Sequence, residues 1–148
     1  MLAENMVKVL ATAYTFAVKA QQYHWNVMGP DFPQYHGLFG DIYGEVHGSI
    51  DQTAEIIRTL GEFAPGSLHE FIQHTMITDE ESAAMSERVM VEQLMQDNET
   101  IIAILKTAYE SAELEQEYDV SDFLAGRLAA HKKHGWMLHS ILGQQRMP

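Results

Sequence analysis

The amino-acid sequence predicts an all-α fold: a bundle of four long helices with a short extra helix between the second and third. Three observations carry this reading. Apolar residues recur every three or four positions over long stretches, and no segment alternates as a strand does. Breaker and loop signals fall between those stretches, at Gly29-Pro30, Gly61 and Ala64-Pro65-Gly66. The 148 residues, 46% hydrophobic and 20% charged, have the size and make-up of one globular domain, read as residues 1–148.

Helix one is expected from about Leu2 to Val27, with Met6, Leu10, Ala13, Ala17, Gln21 and His24 along one stripe. Its stretch Val9–Val18 has the look of a short signal-peptide core. Glu4 stands where a basic flank belongs, however, and the helical stripe continues beyond, so it reads as a helix of a cytoplasmic protein. Helix two starts near Pro33 and runs unbroken to about Leu60. Ser67-x-x-Glu70 is a capping box opening the short helix, which lasts to about His74. Thr78-x-x-Glu81 is a second capping box and opens helix three, with Glu80 and Glu81 at the positive end of its dipole. That helix continues to about Leu114, carrying Leu94, Ile101, Leu105, Ala108 and Ala112 inward. The acidic stretch Glu113–Asp119 connects to helix four, capped by Asp119 or Ser121 and ending near Gly143. No tail precedes helix one, and only Gln144–Pro148 follows helix four.

Composition narrows the chemistry. The chain has no cysteine, which excludes disulfide scaffolds, thiolate metal sites and cysteine nucleophiles. A net charge of −12 supplies no field for gripping phosphates. No apolar run of about 18 residues is present to span a membrane. Metal chemistry, if any, runs on His, Asp and Glu. A glycine-rich phosphate loop and a nucleophile elbow are both missing, and no glutamate is followed by histidine three positions on, as a di-iron site inside one bundle requires.

Helix two concentrates the informative residues. Phe39, Ile42, Tyr43, Val46 and Ile50 form its core stripe, while His36, Gly40, Gly44, His47, Gly48, Asp51 and Glu55 gather on the adjoining face. Glycines there let another backbone approach closely. Asp51 and Glu55, four apart, lie one above the other, a spacing at which two carboxylates share an ion; an ordinary solvated face has the same spacing. His24 is likewise either a hydrogen-bonded core residue or a ligand. His69, His74, His131, His134 and His139 are read as structural, with His131 and His134 beside Lys132 and Lys133 on a mixed exposed face.

Taken together, His24-Trp25-Asn26-Val27-x-Gly29, Phe32, His36, Phe39, Asp51-x-x-Ala54-Glu55 and Leu60-Gly61 resemble the Dps mini-ferritin family, within the ferritin-like superfamily. Helix four agrees independently, from Asp122-Phe-Leu-Ala-Gly-Arg127-Leu to His134-Gly-Trp136-Met137-Leu138. The resemblance implies a ferritin-like bundle assembled as a homododecameric hollow shell. It further implies ferroxidase sites at the two-fold interfaces, built from His24 and His36 of one subunit and Asp51 and Glu55 of its partner. The expected activity is oxidation of Fe(II) to Fe(III), preferentially with hydrogen peroxide, and storage of ferric oxide inside. Trp25, beside a ligand, packs in the interface or donates electrons, as Tyr23 and Tyr35 also could. Asp122 matches an acid of the family's three-fold iron pore. The chain departs from the family at Gly40, where an aspartate is common, so His47 is the substitute considered for a second iron. It departs again at Lys132, where a pore acid is common. The alternative function is nucleoid protection by DNA binding, in a cytoplasmic or nucleoid-associated protein. The charge of −12 and the want of a basic tail beyond Arg146 argue against that alternative. A metal-free structural oligomer is the third reading.

Overall fold

Leu2, Met6, Leu10, Ala13, Ala17 and Ala20 recur at helical spacing, and in the computed structural model all are buried along one side of α1 (Leu2–Asn26). The structure describes residues 1–143; the C-terminal stub 144–148, with Arg146, lies outside the described residues. Five further helices follow: α2 (Phe32–His47), α3 (Ile50–Thr59), α4 (Leu68–His74), α5 (Glu87–Leu114) and α6 (Tyr118–Ile141). The described residues contain no strand. In the bundle, α1 packs against both α2 and α5, and α5 against α6. Leu94, Ile101, Leu105, Ala108 and Ala112 of α5 are buried as the periodicity predicts. No helix is long and apolar enough to cross a membrane among the described residues.

The structure corrects the elements in three places. The second long helix is broken into α2 and α3 at Gly48-Ser49. There the Ser49 hydroxyl and amide both donate to the Val46 carbonyl, at 2.6 and 3.0 Å, and the Thr53 hydroxyl donates to the Ser49 carbonyl at 2.8 Å. Side chains that bond the backbone compete with the helical ladder, and Gly48 offers little intrinsic resistance. Both residues keep right-handed dihedral angles (φ −63°, ψ −17°; φ −90°, ψ −8°), so α3 continues α2 with an offset instead of turning back.

The second correction concerns Thr78, which caps nothing; α5 starts nine residues later, with the Ser86 hydroxyl accepting from the Val89 amide. Residues 75–86 instead form a non-helical strap along α1. The hydroxyls of Thr75 and Thr15 share a 2.6 Å hydrogen bond, the Met76 amide donates to the Thr12 hydroxyl, and Ile77 is buried. Glu80, expected at a helix start, reaches back to α1 instead: its carbonyl accepts from Gln22 and its carboxylate from the Tyr23 phenol. By contrast, the capping box at Ser67 and Glu70 forms with both of its reciprocal bonds. The third correction is small: α6 is capped at Glu117, and Ser121 lies inside the helix, its hydroxyl donating back to the Glu117 carbonyl.

Candidate metal centre

His24 ends α1 and His36 opens α2, and the turn between them folds the two imidazoles face to face, centroids 3.8 Å apart and 14° from parallel. Each ring holds the other's backbone. His24 Nδ1 donates to the His36 carbonyl and His36 Nδ1 to the His24 carbonyl, both at 2.6 Å. The His24 carbonyl is one of those a helix C-terminus leaves without a partner, so the second bond also caps α1. A carbonyl can only accept, so each Nδ1 carries a hydrogen, and Nε2 is the nitrogen each ring has left to offer a metal ion. That is the tautomer and anchoring of a metal-binding histidine. Phe32 stacks on the outer face of His36 at 5.0 Å.

Two glycines make room for this arrangement. A Cβ on Gly40 would lie 2.9 Å from Cε1 and Nδ1 of His24, so the imidazole occupies the space that any side chain at position 40 needs. Gly29 sits at φ +145°, and a Cβ there would overlap the Glu87 carboxylate. Gly37 and Gly44 face open space.

Asp51 and Glu55 lie exposed on α3. Fifteen residues separate His36 from Asp51, roughly 20 Å at the helical rise, so one chain cannot bring them to a common ion. Among the described residues, no three His, Asp or Glu side chains stand close enough together to hold a metal. Trp25 is 66% exposed beside the histidine pair. His47, also exposed, lies at the far end of α2 with its ring against Tyr14 and Tyr43. Asp122 is exposed near the start of α6, lining with Gly44, Gly48 and Gly126 a shallow depression of about 460 Å³ between α2 and α6.

His131 and His134 do not form a mixed exposed face: both are buried. They belong to a polar network that crosses the bundle. Asn98 of α5 is wholly buried; its amide donates to the His131 carbonyl and accepts from His131 Nδ1, both at 2.8 Å. His131 Nε2 accepts from Arg127, which grips Glu45 of α2 with both terminal nitrogens, and His134 Nε2 donates to Glu45 at 2.8 Å. Burial pushes His131 down to about 3, helped by Arg127 and His134 nearby. Burial alone would raise the Glu45 carboxyl, but the hydrogen bonds from His134 and Arg127 outweigh it and hold Glu45 well below the usual carboxylate range. A sequence signal existed. Leu124, Arg127, His131, His134 and Leu138 follow helical spacing along one face, and the flanking lysines obscure it.

Comparison with known proteins defines the class first. A family model described as a ferritin-like domain matches residues 3–147, so the fold and the match together make this a ferritin-like protein. An uncharacterized low temperature-induced protein of Nostoc sp. is 35% identical over 92% of this chain and 76% of its own length. DNA protection during starvation protein 2 of Bacillus anthracis is 31% identical over 95% of this chain and 96% of its own. The crystal structure of a Dps protein from Bacillus brevis superposes with a TM-score of 0.90 at 29% identity, covering 95% and 94% of the two chains. This chain belongs to the Dps mini-ferritin family.

Proposed function

We propose that this protein is an iron-storing ferroxidase: two copies pair about a two-fold axis and complete, between them, the ion site that neither holds alone. The observation carrying this reading is the reciprocal His24–His36 clamp, which anchors both rings and leaves each Nε2 without a hydrogen-bond partner among the described residues. Family membership supports iron storage in general. In an antiparallel pairing that sets His36 opposite Asp51 of the partner subunit, Gly44 falls near the axis, where open space above its Cα admits a second helix. The same register sets the partner's His47 opposite Gly40, which supports His47 as a ligand for a second iron. Two imidazoles and two carboxylates suit Fe(II) and leave positions for an oxidant. The carboxylates of Asp51 and Glu55 favour Fe(III) over Fe(II) and so ease electron loss.

Hydrogen peroxide is the proposed oxidant, and the assembly a cytoplasmic homododecamer storing ferric oxide, with Asp122 on the iron entry path. Trp25 packs in the two-fold interface. Relatives are named for DNA protection; against direct DNA binding here stands the charge of −12 per chain.

The test is anaerobic loading with Fe(II), addition of hydrogen peroxide, and ferric absorbance followed together with eluted size. Wild type is expected to oxidise the iron rapidly and keep it soluble in a shell-sized peak, and Asp51→Ala/Glu55→Ala to do neither. Oxidation no faster than in buffer would sink the reading. Gly40→Ala supplies a separate check. It should gain about 1 kcal/mol of helix propensity while its methyl displaces the His24 ring. Loss of that anchoring is expected to weaken Fe(II) binding by about 10–100-fold in anaerobic calorimetry. Unchanged affinity would mean that the clamp does not shape the site.

A further inference from the structure

The two carboxylates of the ion site share their face of α3 with a cation. Asp51, Glu55 and Arg58 recur at intervals of four and three and all are exposed, while Thr53, Ile56 and Ile57 take the buried side. A glutamate and an arginine three apart on a helix are neighbours and ordinarily pair. A guanidinium drawn onto Glu55 would occupy one ligand and repel Fe(II) from both. That pair does not form: among the described residues, no carboxylate makes an ion pair with Arg58. The end of the helix turns the guanidinium the other way. Gly61, at φ +94°, closes α3 with its amide donating to the Arg58 carbonyl at 3.1 Å and the Glu62 amide donating to the Ile57 carbonyl at 3.3 Å. This reversal carries the next residues back beside the last turn. The Glu62 carbonyl accepts from Arg58 Nη1 at 3.3 Å, and the Phe63 ring lies against the guanidinium, its centroid 4.5 Å from Cζ.

We infer that Phe63 is a positioning residue of the ion site: its ring holds Arg58 at the C-terminal end of α3 and so keeps Asp51 and Glu55 open to Fe(II). Two demands conflict along this helix. Its last turn favours a cation, because the carbonyls there are unpaired and the dipole is negative. One turn earlier, a cation would compete with the metal for the carboxylates. Arg58 has a stem long enough to serve either place, and the Glu62 carbonyl and the Phe63 ring decide between them. Phe63 is 85% exposed, so packing in the core is not what calls for an aromatic ring at this position. The inference rests on the ferroxidase reading for the ligand role of Asp51 and Glu55.

The test uses Phe63→Leu, which keeps an apolar side chain and removes the ring face. In a crystal structure of the metal-free variant, the Arg58 guanidinium is expected within hydrogen-bond reach of Glu55. A guanidinium still on the Glu62 carbonyl overturns the inference. In anaerobic calorimetry, Phe63→Leu should bind Fe(II) roughly 3–10-fold more weakly than wild type, from the competing ion pair and the added repulsion. The same substitution made in an Arg58→Gln background should weaken binding no further, because the competing charge is gone. General damage to α3 or to the pairing of subunits would persist without the arginine. A loss that persists in Arg58→Gln, or no loss with the arginine present, therefore also overturns the inference. Asp51→Ala/Glu55→Ala is titrated alongside. Fe(II) affinity that survives removal of both carboxylates counts against the ferroxidase reading itself, and the metal-free crystal structures then judge the hold of Phe63 on Arg58 by themselves.

Discussion

Chains carrying His24→Ala/His36→Ala, mixed before assembly with chains carrying Asp51→Ala/Glu55→Ala, are expected to regain an iron oxidation that neither set shows alone. The histidine pair sits at the α1–α2 turn and the acids on α3, roughly 20 Å away along the same helical path. A site shared across a two-fold axis takes its histidines from one chain and its acids from the other. In a mixed pair, one of the two sites receives both damaged halves and the other receives both intact ones. With random pairing about a quarter of all sites are whole, and the initial oxidation rate should recover to about that fraction of wild type. Ligands contributed within a single chain would give no recovery, since every site would then lack half its donors. The measurement is ferric absorbance after peroxide addition, with each parent set assembled separately as its own baseline.

Acidification should unfold the bundle along a slope that His131 sets. Inside the fold this imidazole is neutral: burial and the nearby Arg127 and His134 push it down to about 3, against 6.5 in an unfolded chain. Between those values the unfolded chain binds a proton that the folded chain refuses, so stability falls as pH drops below 6.5. From pH 6.5 to 4.5 the loss is about 2 kcal/mol, the slope rising from half its limit at 6.5 towards about 1.4 kcal/mol per unit. Glu45 acts in the other direction along the scale. Its carboxyl is held low in the fold, so the stability it contributes is intact above its ordinary value near 4.5 and is lost only below it. The window from 6.5 to 4.5 therefore keeps Glu45 out of the slope, and comparison with His131→Gln subtracts what other groups, buried Asp97 with its raised carboxyl among them, contribute. Urea titrations at steps of pH should show the slope in wild type and a flattened one in His131→Gln. Equal slopes would contradict a neutral buried His131.

Much of this molecule is legible from periodicity alone, and the departures share one cause. The stripe of α1 from Met6 to Ala17, the inward residues of α5 and the Ser67 capping box depend on neighbours within one or two helical turns, and these stand as read, while Gln21 and His24 at the end of the stripe are only partly buried. Thr78-x-x-Glu81 carries the same local signal as Ser67-x-x-Glu70, yet the strap prevails because Thr12, Thr15, Tyr23 and Gln22 of α1, distant in sequence, bond it in place. The break at Gly48-Ser49 is likewise a contest, between hydroxyls and the helical ladder, that spacing cannot decide. Of the candidate site, His24 and His36 could be singled out through family resemblance. Their mutual carbonyl bonds could not, because they arise only when the α1–α2 turn closes. His131 and His134 sat on a readable core face, but Lys132 and Lys133 between them mimic a solvated one.

Lys19 has a consequence for how the chain is made. It is 3% exposed, and the carboxylates that hold it belong to residues 80 and 97. During synthesis the hairpin of α1 and α2 emerges complete, histidine pair included, before either carboxylate has been translated. The elements that hold Lys19, α5 and the strap, are the ones that bring its counterions, so the ammonium leaves water only as it is paired and the cost of several kcal/mol for an unpaired buried charge is avoided. Docking of α5 and the strap onto α1 therefore covers Lys19 and pairs it in the same step.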